Sequence, residues 1–193
     1  MRKLLILLAA LAAAAGAAAQ DWPAQPLTLV VAFAAGGDDD LLARVLAPRL
    51  SQFLGQPVSV ENTAGGGGMT GAARVAKAAP DGYEMLLGSS ATHALSQTLH
   101  KNPPYNAVTD FIPVALLAEQ PFVLLARKGL PGHRVDDLVA YAKAHPRSVQ
   151  FASSGEGSST HVVCTLFNSA AGIRAQHIAY QSGALAIDRK SVV

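Results

Sequence analysis

The seven-residue apolar run Leu27–Phe33 (LTLVVAF) breaks off at a turn of small residues, Ala34-Ala35-Gly36-Gly37, which opens directly into a helical pattern. An apolar run of that length reads as a buried strand. The unit then recurs along the chain. Residues 39–54 place Leu42, Val45, Leu46, Leu50 and Phe53 on one side of a helix. Pro48 within it should kink the helix or cost about 3 kcal/mol. A strand over 57–62, a helix over 70–79, a Pro80-Asp81-Gly82 turn, a strand over 83–88 and a short helix over 92–99 follow. Beyond a proline-rich connection at 102–113, strands are expected at 112–118 and 122–127. Val135, Leu138, Val139 and Ala142 form an amphipathic stripe, with Asp136 and Asp137 in the first turn, where the helix dipole favours anions. A strand over 149–153, a helix over 159–171 and a strand over 176–180 complete the alternation. Strands and helices alternating in this way predict an α/β fold with helices layered on mostly parallel sheet.

The first twenty residues set the compartment. Arg2 and Lys3 precede a continuous apolar run, Leu4 to Ala15, and Ala17 and Ala19 supply the small-x-small pattern that signal peptidase reads. Residues 1–19 are therefore expected to be a signal peptide cleaved after Ala19, delivering the mature chain to the periplasm. The run is shorter than the roughly 20 apolar residues that span a bilayer. Half the chain is hydrophobic and 15% is charged, a globular composition. A net charge of +2 without a Lys/Arg cluster argues against nucleic acid. Cys164 is the only cysteine, so no internal disulfide forms, and its apolar helical setting marks a structural thiol.

Chemistry in such folds sits where strand ends open into helices. Three loops qualify. In Ala34 to Asp40, glycines let backbone approach a ligand and the helix start offers free N–H groups, although a plain tight turn with an Asp cap reads as well. Ser89 to His93 and Ser153 to His161 bring hydroxyls and, in the latter, more glycines; capping alone would also favour these residues. The run Gly65 to Gly68 lacks the Lys-Ser/Thr of a P-loop, no G-x-S-x-G elbow occurs, and no His/Cys cluster has metal-ligand spacing. No metal or cofactor is expected.

Together the loops resemble the tripartite tricarboxylate transporter substrate-binding proteins, the Bug-type periplasmic receptors. The matching segments are WPAQPLTLVVAFAAGG, DLLARVLAPRLSQFLGQPVSVENTAGGGG, AAPDGYEMLLGSSATHAL, PYNAVTDFIPVALLA, FASSGEGSSTH and HIAYQSGALAI, in order across residues 22–187. The resemblance implies a periplasmic-binding-protein type II-like clamshell without a catalytic step, here incomplete, with residues 20–124 in the first lobe and 125–187 in the second. It implies a small organic carboxylate as ligand, held by backbone amides and bridging waters at Ala34, Ala35, Gly36 and Gly37. Asp40 matches the family's acidic position at the helix start. Ser90, Thr92, Ser153, Ser158 and His161 match other pocket-loop positions, and Tyr180 the tyrosine of a later segment whose lysine is Gln181 here. Delivery to membrane transporter subunits follows by the same resemblance, with the complete receptor a monomer.

The departures carry physical weight. Ala34 and Ala35 stand where prolines are usual, and Asp38, Asp39 and Glu156 where neutral residues are usual. A helix N-terminus favours an anion by about 0.3–1 kcal/mol, up to ~2 when partly buried. Two carboxylates about 4 Å apart repel by roughly 4 kcal/mol at an effective dielectric near 20. If Asp38 faces the cleft, an amine-bearing or weaker anionic ligand is favoured; if it faces water, screening removes the conflict. Two other readings stand beside the receptor: an exported hydrolase using Ser158 or Ser90 with a His and an Asp, and a module sensing the same acids for a signalling partner. Finally, Asp188 to Val193 back-translate as GAT CGG AAG AGC GTC GTG, a sequencing-library adapter. Residues 188–193 are expected to be a non-native tail on a C-terminally truncated receptor, poorly soluble as expressed.

Overall fold

The computed structural model describes residues 22–146 and 148–188. The signal peptide expected over 1–19 and residues 189–193 of the expected foreign tail lie outside them. Among the described residues five strands form: β1 Leu27–Val31, β2 Val58–Asn62, β3 Glu84–Leu87, β4 Gln150–Ser153 and β5 Gln176–Ala179. The helices are α1 Asp38–Leu54, α2 Met69–Ala76, α3 Ser96–Leu99, α4 Val135–Ala144, α5 Ser159–Ala171 and α6 Gly183–Asp188, with a π-helical turn, Ala91–Leu95, leading into α3. Every strand pairing is parallel, in one sheet ordered β2-β1-β3 and a second ordered β4-β5. In the first sheet Leu29 lies between Val60 and Met85; in the second Ala152 faces Ile178.

Each sheet has its own apolar core. Leu29, Val31, Ala43 and Leu87 are buried with Leu42, Val58, Val60 and Met85 packed on them. Ala142, Val149 and Ile173 are buried beneath Leu138, Val139 and Phe167. The central strand β1, apolar except for Thr28, is the most deeply buried, because both of its edges are paired.

Two expectations change. On α1 the buried line is Asp40, Ala43 and Ala47, while Val45 is exposed and Phe53 is 86% exposed. Small residues let the helix approach the sheet closely, so the bulky leucines flank the contact instead of making it. Pro48 is accommodated within seventeen continuous helical residues. The strands expected at 112–118 and 122–127 do not form: this segment runs without regular structure, and Ile112, Val114 and Leu116 are 89%, 87% and 83% exposed. A strand needs a ladder partner, and among the described residues this stretch has none.

The second crossover depends on one close approach. A Cβ at Gly71 on α2 would lie 2.8 Å from both Ala32 Cα and the Thr63 carbonyl oxygen. Arg74, one turn on, bridges Glu61 at 2.7 Å and Glu84 at 2.6 Å, strapping β2 and β3 across β1. Gly71→Ala on an unconstrained helix would stabilise by about 1 kcal/mol. Here the clash should win, and urea denaturation should show a loss of about 1–3 kcal/mol.

Candidate functional site

Asp40 organises the first loop. Its carboxylate is 2% exposed. Oδ2 accepts the Gly36 N–H at 2.8 Å and Arg44 Nε at 2.9 Å, while Oδ1 accepts Asn62 Nδ2 at 2.9 Å. Asn62 Nδ2 also donates to the Phe33 carbonyl at 3.1 Å, and Arg44 Nη2 donates to Asn62 Oδ1 at 3.2 Å. Turn, helix and second strand are thus tied through one buried carboxylate. Hydrogen bonding from Arg44, reinforced by the Gly36 and Asn62 donors, holds the Asp40 pKa at about 2. The Gly36 amide, expected to meet ligand, is therefore already committed to Asp40.

The neighbouring carboxylates differ. Asp38 and Asp39 sit in the same first helical turn, behind an N-cap, Gly37, that has no side chain to offer. Both line a cavity of about 720 Å³. Burial, then the charge of Asp38, pushes Asp39 up to about 6.

The remaining loops spend most of their hydroxyls on themselves. Thr92 Oγ1 accepts the Ser89 N–H at 2.9 Å and lies 2.8 Å from His93 Nδ1. Ser153 Oγ pairs with His177 Nε2 at 2.7 Å. Ser158 caps α5, accepting the His161 N–H at 3.3 Å and donating to the Gly155 carbonyl at 2.6 Å. His161 Nδ1 accepts the Gly157 N–H at 3.1 Å, and the His161 and His177 rings stack at 3.9 Å. Burial, then the neighbouring His161, lowers the pKa of His177. Cys164 in α5 is half-buried and its pKa is raised by desolvation, as suits an unreactive thiol.

Of the eleven residues singled out in the sequence, Gly36, Gly37 and Ser90 line the cavity. Asp40, Thr92, Ser153, Ser158 and His161 stand behind it, shaping the loops. Ala34, Ala35 and Tyr180 are not on its wall either; Tyr180 N–H closes the β5 end onto the Ser153 carbonyl at 2.9 Å. The wall instead includes Asp38, Asp39, Ser89, Ser154, Ser159, Thr160 and Ser182, with Phe33 and Leu87 beneath. Ser90 Oγ and Ser159 Oγ meet at 2.8 Å, joining the first sheet's loop to the second's. A Cβ at Gly67 would lie 2.7 Å from the Glu156 carbonyl oxygen, so the two parts touch there as well. The exposed Glu156 does not line the cavity. Ser182 follows β5 as Ser89 follows β3; that strand-end position was its only signal in the sequence.

The cavity therefore lies at the carboxyl ends of both parallel sheets, where ligands bind in such folds. Residues 42–190 match the family model for the tripartite tricarboxylate transporter family receptor. The chain belongs to this receptor family. It is 40% identical to the protein BugT of Bordetella pertussis over 172 residues, which are 88% of this chain and 53% of BugT. A UPF0065 protein in the TAR-I ttuE-ttuC' intergenic region of Agrobacterium vitis is 39% identical, over 93% of this chain and 52% of that one. Among solved structures, R. palustris Rpa4515 with adipate superposes with a TM-score of 0.83 at 36% identity, covering 87% of this chain and 56% of the other. MatC of Rhodopseudomonas palustris, with bound malate, gives 0.82 at 35%, covering 86% and 57%. The chain thus spans about half the length of the relatives it matches.

Opposite pH dependences should separate the two aspartates. Asp40, with its pKa depressed, stabilises the fold fully above about pH 4 and loses that contribution as pH falls through about 2. Asp40→Asn should cost about 2 kcal/mol at pH 7 in chemical denaturation, with the deficit vanishing near pH 2. Asp39, with its pKa raised, favours the folded state below about pH 4 and progressively disfavours it as pH rises towards 6. Asp39→Asn should be more stable than the parent above pH 6, by about 1 kcal/mol once solvent screening is allowed for.

Proposed function

We propose that the chain is part of a periplasmic solute receptor that captures a small organic carboxylate and passes it to a tripartite tricarboxylate-type membrane transporter. Residues 20–124 serve as part of the first lobe and 125–187 as part of the second, with ligand held between them. The observation that carries this reading is the cavity itself: two parallel sheets converge on it by their carboxyl ends, and glycine turns, hydroxyls and helix starts line it. The family membership and the acids named in the solved relatives, adipate and malate, support the same ligand class.

The start of α5 is the best-prepared anion position. Ser158 satisfies only the His161 amide, so the amides of Ser159 and Thr160 lack helical partners and stand on the cavity wall. The Ser90–Ser159 hydroxyl pair lies beside them. Hydrolysis by Ser158 or Ser90 has less support, since Ser158 Oγ is engaged by Gly155 and Ser90 Oγ by another serine. The Ser153–His177 pair is buried at the serine and stacks on Phe151 and His161, a packing arrangement.

In a thermal-shift panel of mono-, di- and tricarboxylates, at least one acid should stabilise the protein. At about 100 times Kd the gain should be about 2.7 kcal/mol. Ser159→Ala should weaken that acid about tenfold or more, as loss of one hydrogen bond to a charged group, about 1.5–3 kcal/mol, would. Failure of every acid to shift the transition would contradict the reading.

A further inference from the structure

Resting on the receptor reading, we infer that this cavity selects a carboxylate that also carries an ammonium group, with Asp38 and Asp39 receiving the ammonium. The walls carry charge of one sign. Asp38 and Asp39 line the cavity, and among the described residues no Lys, Arg or His does. Arg44, on the second turn of α1, is spent on Asp40 at 2.9 Å. Neither Asp38 nor Asp39 meets a donor or a cation among the described residues, so a bound ammonium would supply what the fold withholds. Asp39 is half-buried, which makes its unpaired charge costly and its pairing correspondingly favourable.

The first loop cannot play its expected anion-binding part alone. The Gly36 amide already serves the Asp40 carboxylate, and three acidic side chains crowd the first turn of α1. A ligand that placed a second carboxylate here would face the half-buried Asp39, which has no counter-ion among the described residues. The positive end of the cavity is the start of α5, on the second sheet. Ser89 also lines the cavity, and its Oγ is buried without a hydrogen-bond partner among the described residues. That orphaned hydroxyl can donate to a carboxylate or accept from an ammonium. The cavity is thus bipolar, and a zwitterion matches it.

Pairs of acids differing only by an amino group test this: propionate against β-alanine and glutarate against glutamate, titrated calorimetrically into the whole chain at pH 8. In at least one pair the amino member should bind about tenfold tighter or better. In the Asp38→Asn/Asp39→Asn double variant that preference should shrink to about twofold or less. In the unaltered protein it should also fade as pH falls below 6, where Asp39 takes up a proton. Equal or tighter binding of the amine-free member in both pairs, or a preference that survives in the double variant, overturns the inference. Binding of other carboxylates with none of these four also overturns it while the receptor reading stands. No binding by any carboxylate overturns both.

Discussion

The buried Asp40 carboxylate is the constraint on which the rest of the site depends. It accepts from the Gly36 amide, the Arg44 guanidinium and the Asn62 amide at once. These groups belong to the turn after β1, to α1 and to the last residue of β2. An unpaired buried carboxylate would cost several kcal/mol; with three donors it becomes the clasp that fixes the turn, the helix entry and the strand end relative to one another. The positions of Asp38 and Asp39 follow, since they share its helical turn. An arrangement that exposes two carboxylates to a cavity is tolerable because the third is neutralised beneath them.

Strand order does the remaining placement. With β1 central and β2 and β3 on either side, the chain leaves β1 for one edge and returns to the other, opening a crevice at the carboxyl end of the sheet. The β4-β5 sheet presents its own carboxyl end to the same cavity through Ser154, Thr160 and Ser182. Most loop hydroxyls are spent holding loop backbone, as in the Thr92 and Ser158 bonds. Rigidity comes from these internal bonds, which leaves few groups, all of them positioned, to meet a ligand.

Much of this was legible in the chain. The strand and helix alternation yields the observed strands and α1 to α5 to within a few residues, because apolar runs and glycine breaks are local signals, whereas α6 had no counterpart in that pattern. The inward face of α1 was misread because hydrophobicity favours Val45 and Phe53, whereas close packing favours Ala43 and Ala47. The segment around Ile112 to Leu116 has strand composition, but pairing is a tertiary property that composition does not carry. The three loops singled out in the sequence meet at one cavity, but which of their residues line it was not legible, because that depends on the backbone course. Thr92 and Ser153 turn away into the protein while their sequence neighbours Ser89 and Ser154 reach the wall. Asp40 stood out in the sequence, and in the structure it ties the loop together and does not line the cavity.

The central claim is that ligand is held between the ends of the two sheets by helix-start amides and a few hydroxyls. Amide chemical-shift mapping during titration with the acid that gives the largest thermal shift tests it most directly. The account predicts the largest perturbations at Asp38, Asp39, Ser89, Ser90, Ser154, Ser159 and Thr160, from both sheets together. Perturbations confined to one sheet, or centred on the α2 surface around Met69 to Lys77, would contradict it.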